Sequence, residues 1–256
     1  MINKLKIDKK ILILIFLTPI LLILFFIFTK IFLSNVYSTI IREDHVLEYL
    51  QVILYFISSI LTLYISVAFL KSRRYSFGII YLILFFILMF WFFEEMNWGQ
   101  RIFNIPNSEY FETHNAQKEI SIHNLNIFQD FLDEAYMIIG FYGAFACFLI
   151  PKYFKNKFKE KLKFIVPDWY LSLYFFPIFM IYLFFGYISP YMTHYYEIDI
   201  FRIDSIIIWR DQEPAELILS IGLVIFFTIG SFRVKNGKLP LSPHNKKQQN
   251  RNNAKQ

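Results

Sequence analysis

The chain has 256 residues and a formal net charge of +6, with 56% hydrophobic residues, 21% aromatic residues and 32 phenylalanines. Those fractions exceed what a soluble domain carries, and the apolar residues come in long blocks rather than at amphipathic spacing, so the expected solvent is lipid. A single cysteine, Cys147, makes no internal disulfide, and its apolar setting keeps the thiol inert.

The first apolar block, 11–33, follows a start rich in lysine. It is too long for a cleavable leader, and no small-residue cleavage pattern follows it, so it reads as a retained anchor. "REDHVLEYLQ" opens the second block, 49–70, and a basic turn at 71–76 leads into the third, 77–93. That block ends on "EEMNWGQR", residues 94–101. A polar stretch follows, in which Pro106 and Asn107 mark a turn and "SEYFETHNAQ" reads as a short interfacial helix. Trp98, Tyr110 and Phe111 suit a headgroup-level aromatic belt. The fourth block, 136–150, is short, and "LNIFQDFLDEAY" before it extends the helix. Segment 151–168 sets Tyr153, Phe154, Phe158, Leu162 and Ile165 among lysines, as expected of a stretch lying on an anionic leaflet. Blocks at 169–188 and 215–230 complete six, the last opened by "RDQEPAELIL". The expected fold is therefore an all-α polytopic membrane helical bundle. Residues 1–235 form one domain, and 236–256 form a basic, disordered tail.

Charge gives the expected orientation. Of the 26 basic residues, 20 fall at the N-terminus, in 71–76, in 151–168 and in the tail from Ser231. Of the 20 acids, 17 fall in 34–48, 94–134 and 189–216. Basic loops stay cytoplasmic, so both termini are expected inside, with an acidic outer face. The net positive charge thus reflects membrane topology, and no nucleic-acid partner is expected.

The expected chemistry lies on that outer face. It holds His45, His114, His123 and His194, and four of its five basic residues, Arg42, Arg101, Arg202 and Arg210, are arginines suited to bidentate pairing with anions. Acids in a helix's first turn complement its dipole, and Glu43, Asp44, Asp211 and Glu213 read as such capping residues. Glu48 and Glu216 lie about a turn deeper, where charge needs a partner, and are expected to point into the bundle. Glu94 and Glu95 close an outward-running helix, where the dipole disfavours a carboxylate by about 0.3–1 kcal/mol. Capping does not account for them, so they need cations or a catalytic role. The expected catalytic set is Glu94 or Glu95 as general base with His114 or His123 as partner, and the expected substrate-binding set is Arg42, Arg101, Arg210, Glu48, Glu216, Gln100 and Asn115. A divalent metal such as zinc would suit such a site, although the spacing of His114 and His123 matches no zinc template.

Three segments carry a resemblance. "EEMNWGQRIFNI", "HNAQKEISIHNL" and "QEPAEL" resemble a group of uncharacterised bacterial multi-pass membrane proteins with an EExxWGQR segment, an N-x-Q-x-E…HN segment and a Glu-rich start to the last span. That resemblance implies a shared site and a place in the bacterial cytoplasmic membrane. A weaker similarity is to CAAX-type intramembrane glutamic proteases, which use EExxxR, Phe-x-x-x-His and His-x-x-x-Asn. Glu94 and Glu95 match the pair, whereas Arg101 comes two residues late, His114 follows Phe111 by three, and His123 precedes Asn126 by three.

The functional expectation is a membrane-embedded hydrolase or transferase acting at the outer leaflet on a lipid, a lipid-linked molecule or an exported peptide. The alternative is a non-catalytic sensor, binder or assembly partner whose outer ion network locks the bundle. A transporter is less expected, because the span interiors lack ionisable groups. Membrane lipid is an expected partner, and the sequence names no protein partner.

Overall fold

A computed structural model describes residues 8–42, 46–100, 102–115, 120–122, 125–153, 159–191 and 209–237. The described residues are helical, with one isolated bridge, and six helices are long and apolar enough to cross a membrane. The protein is a multi-pass membrane bundle. Its spans are α1 (Lys9–Phe32), α3 (Val46–Lys71), α4 (Tyr75–Glu95), α6 (Asn126–Tyr153), α8 (Ser172–Leu183, continued by a π-turn at Phe184–Ile188) and α9 (Gln212–Lys235). Short helices α2 (Ser34–Ile40), α5 (Glu109–His114) and α7 (Lys159–Leu162) lie between them. α3, α4, α6 and α9 run past their apolar blocks at both ends because their backbone bonding continues into polar flanks. α6 does so most, incorporating the polar run before Tyr136.

α9 is the most enclosed helix, packing against α1, α3 and α8. α3 and α4 form an antiparallel pair, as do α6 and α8. The second pair packs closely because Gly140 and Gly143 present no side chain. A Cβ at Gly140 would stand 2.6 Å from the Phe179 amide nitrogen, and one at Gly143 would overlap the Phe175 ring. Small residues at such contacts are the membrane solution where lipid supplies no hydrophobic drive. α3 buries an unusually polar stripe, Gln51, Tyr55, Ser58, Ser59, Thr62 and Ser66, at helical spacing. Its hydroxyls mostly bond to backbone carbonyls, as in Ser66 to Gly78 at 2.7 Å.

At the basic end, the segment expected to lie flat on lipid turns into the bundle after α7. Phe164 and Val166 are buried while Ile165 stays exposed. The reason is a set of anchors. Tyr81 donates to the Phe164 carbonyl at 2.6 Å, and Arg233 of α9 donates to the Lys163 carbonyl and pairs with Asp168 at 2.6 Å.

Candidate functional site

The starts of α3, α6 and α9 and the ends of α1, α4 and α8 meet at the opposite end of the bundle, as the alternation of the spans requires. Adjacent residues on a helix point about 100° apart. Glu94 and Glu95 therefore face different surroundings, and the two carboxylates part company.

Glu94 is fully buried and holds the loop that follows it. One carboxylate oxygen accepts from the Trp98 indole nitrogen, and the other accepts from the Ile122 backbone N–H at 2.7 Å. Asn97, Trp98 and Gly99 have φ of 47°, 52° and 77°, a left-handed run that reverses the chain straight after α4. Glycine adopts this conformation freely and a bulky Trp does not. The bond to Glu94 and a stack on Phe93, with centroids 5.5 Å apart, hold Trp98 there. Gln100 continues the same work by accepting from the Ile120 N–H at 2.8 Å. Asn115 is buried, donates to the Ser121 carbonyl at 2.7 Å, and pairs with Leu125 in the isolated bridge. Glu94, Gln100 and Asn115 thus build the loop over the bundle end. The Glu94 carboxylate, the Gln100 amide oxygen and the Asn115 amide nitrogen each bond to groups of that loop.

Glu95 faces the interior. Its strongest electrostatic neighbours are carboxylates, first Glu216, then Glu213, Glu48 and Glu94. Those of Glu216 include Glu213, Glu48 and Asp133, and Glu216 also accepts from the Tyr182 hydroxyl at 2.6 Å. Tyr182 stacks on Tyr136 with centroids 4.9 Å apart, and the Trp91 ring packs against Tyr136 at 5.4 Å. Tyr55 of α3 adjoins Tyr136. Gln51, also fully buried, donates through its amide nitrogen to the Glu213 carbonyl and carboxylate, both at 3.3 Å. Five helices therefore converge on a half-buried Glu95, to which no hydrogen-bond donor reaches among the described residues. Glu48, Glu95 and Glu216 thus lie within electrostatic reach of one another.

Of the expected cationic partners, Arg42, Arg210 and His114 are among the described residues. Arg42 is exposed, and its side chain meets no described partner. Arg210 is half-buried beside α9. His114 is exposed, stacks on Tyr110 at 4.7 Å and bonds only within its own turn, to Thr113 and Tyr110, so it does not fold over the glutamates. The short α5 points its ring back along its own surface. Arg101, His123, His45, His194, Arg202, Glu43 and Asp44 lie outside the described residues. Among the described residues no three His, Cys, Asp or Glu side chains sit close enough to hold a metal ion.

Two acids expected to act as caps do more than that. Asp211 stands at the N-cap of α9 but makes no side-chain cap bond. It pairs with Lys30 of α1 and accepts from the Tyr37 hydroxyl at 2.6 Å, tying α1 and α2 to α9. Burial, reinforced by the bond and charge of Asp211, holds the Tyr37 hydroxyl well above the ordinary tyrosine range. Glu213 bonds Gln51 and joins the interior cluster. Sequence reading missed Lys30, Tyr37, Gln51, Tyr55, Tyr136 and Tyr182. The polar stripe of α3, repeating every three to four residues through an apolar block, is the signal that marks Gln51 and Tyr55. No protein-family model, no curated protein and no solved structure matches the chain.

Proposed function

We propose that this chain is a protein of the bacterial cytoplasmic membrane, with both termini in the cytoplasm, that binds a lipid-borne or envelope ligand at its acidic outer end. Glu95 carries this reading. It is a carboxylate inside a membrane bundle, half-buried, without a hydrogen-bond donor among the described residues and surrounded by further carboxylates. A fold tolerates such a group at a cost, and intramembrane ionisable groups without a structural partner mark functional sites. Glu94 contrasts with it, since both of its carboxylate oxygens accept bonds from the loop that follows.

The test is recovery of the ligand. Wild-type protein extracted into lipid nanodiscs retains a bound small molecule or lipid detectable by native mass spectrometry, and Glu95→Gln loses it. Identical adducts on both proteins would end the reading.

A second reading, general acid–base catalysis by a membrane-embedded hydrolase or transferase, draws support from the neighbouring Glu95 and Glu216, with the Tyr182 hydroxyl on Glu216. It predicts that cells carrying Glu95→Gln accumulate a substrate in their envelope lipid or peptide profile. An unchanged profile together with lost binding leaves the protein a binder.

A further inference from the structure

We infer that the loop after α4, residues 98–105, is a wedge inserted into the lipid leaflet at the acidic end of the bundle, where headgroups meet acyl chains. The argument begins on α4. Ile79, Ile83 and Phe86 are exposed, and their helical spacing continues through the half-buried Phe90 to the exposed Phe93. On a membrane-spanning helix such an outward apolar stripe is covered by lipid. The Trp98 ring stacks on Phe93 at 5.5 Å and meets Phe90 edge-on at 6.1 Å. The chain that leaves α4 therefore lays its first large side chain back along the lipid-facing stripe.

The second observation is the make-up of the loop. Ile102, Phe103 and Ile105 follow Trp98 and are 62%, 74% and 43% exposed. Backbone bonds fix their display. The Phe103 N–H donates to the Gly99 carbonyl at 3.0 Å, the Ile105 N–H donates to the Gln100 carbonyl at 2.9 Å, and Asn104, with φ of 49°, turns the chain between them. The Phe103 ring lies against Gly99, where a Cβ would stand 3.0 Å from it. The polar bonds of the loop run the other way, toward the protein. Glu94 accepts from the Trp98 indole and the Ile122 N–H, and Gln100 accepts from the Ile120 N–H. One edge of the loop is thus bonded to the chain, while its apolar side chains project from a turn continuous with a lipid-facing stripe. Water disfavours that display and the membrane interface favours it, Trp above all. Inserted in this way, the loop anchors the segment at Ile120 and Ile122 over the bundle end.

The experiment places a nitroxide label in the full chain, held in phosphatidylcholine nanodiscs, at Ile102→Cys or at Phe103→Cys. Cys147→Ser first removes the one native cysteine. The label's collisions are read with oxygen, which concentrates in lipid, and with a neutral nickel chelate, which stays in water. Phe86→Cys, on the α4 stripe, is the lipid reference. Both loop positions are expected to collide with oxygen several-fold more often than with the chelate, at a shallower depth than position 86. Both native side chains are exposed, so neither label displaces a buried group. A label at either position that favours the chelate would put the loop in water. A label at either position shielded from both reagents would put it against protein, from this chain or from a second copy. Each of those results overturns the proposal. The outcome is independent of any ligand at Glu95, so the binding reading stands or falls by its own test.

Discussion

Glu94 and Glu95 are chemically identical and adjacent, and they are expected to respond in opposite ways to the same substitution. Glu94→Ala leaves the Trp98 indole and the Ile122 amide without their acceptor inside a loop wound left-handed. Each lost partner costs about 1–3 kcal/mol, so the variant should melt several degrees lower and expose the loop to protease. Glu95→Gln keeps the shape and removes a carboxyl group crowded by other carboxyls, so in detergent it should melt at or above wild type while losing ligand. Equal destabilisation by both substitutions would mean that Glu95 too is structural. Tyr37 offers a pH test. Its hydroxyl stays protonated in the folded state well above pH 10, whereas in the unfolded chain it ionises near pH 10. The stability that Tyr37 contributes is therefore fully present below about pH 10 and falls as pH rises beyond it, where only the unfolded chain releases the proton. Tyr37→Phe should cost about 0.5–1.5 kcal/mol at neutral pH, and the gap from wild type should narrow between about pH 9 and pH 11 in paired melts.

At the scale of helices, two kinds of contact set the geometry around the site. The α6–α8 pair depends on closeness. Gly140→Ala drives a methyl group to 2.6 Å from the Phe179 backbone, which cannot yield as a side-chain tip can, so the helices must part. A loss of about 1–3 kcal/mol is expected, measured as a lower Tm. Gly186→Ala is the control. Nothing lies within 4 Å of the added methyl, and the change should be neutral or stabilising. Because Tyr136 on α6 and Tyr182 on α8 stack beside Glu216, parting those helices should also weaken ligand binding in Gly140→Ala and leave it intact in Gly186→Ala. The α1–α9 contact depends on charge instead, through Lys30 and Asp211. Lys30 could be read as an isolated charge in an apolar block, but its partner lies 181 residues away and no local pattern announces it.

For the whole molecule, the charge asymmetry makes a prediction independent of any site. A reporter fused at Gln256 should be active only in the cytoplasm, and one inserted at Asn107 only outside. A periplasm-active fusion at Gln256 would invert the assignment of the acidic end. The six spans and the depth of Glu48 and Glu216 were legible along the chain, because hydropathy and helical rise act on neighbouring residues one turn at a time. The EEMNWGQR motif was legible as unusual. Its division into a loop anchor at Glu94 and an interior carboxylate at Glu95 was not, since that depends on how α4 is rotated against α3 and on where the distant Ile122 amide arrives. His114 shows the same limit from the other side. Its residue type invited a catalytic role, and the local turn of α5 spent its ring on Tyr110 and Thr113. Composition alone decided that this chain lives in lipid, because transfer free energy sums over the residues of a span whatever they touch. Which carboxylates meet and which tyrosines close around them were decided by tertiary structure, because hydrogen bonds and charge pairs act over a few ångströms between helices that are remote in sequence.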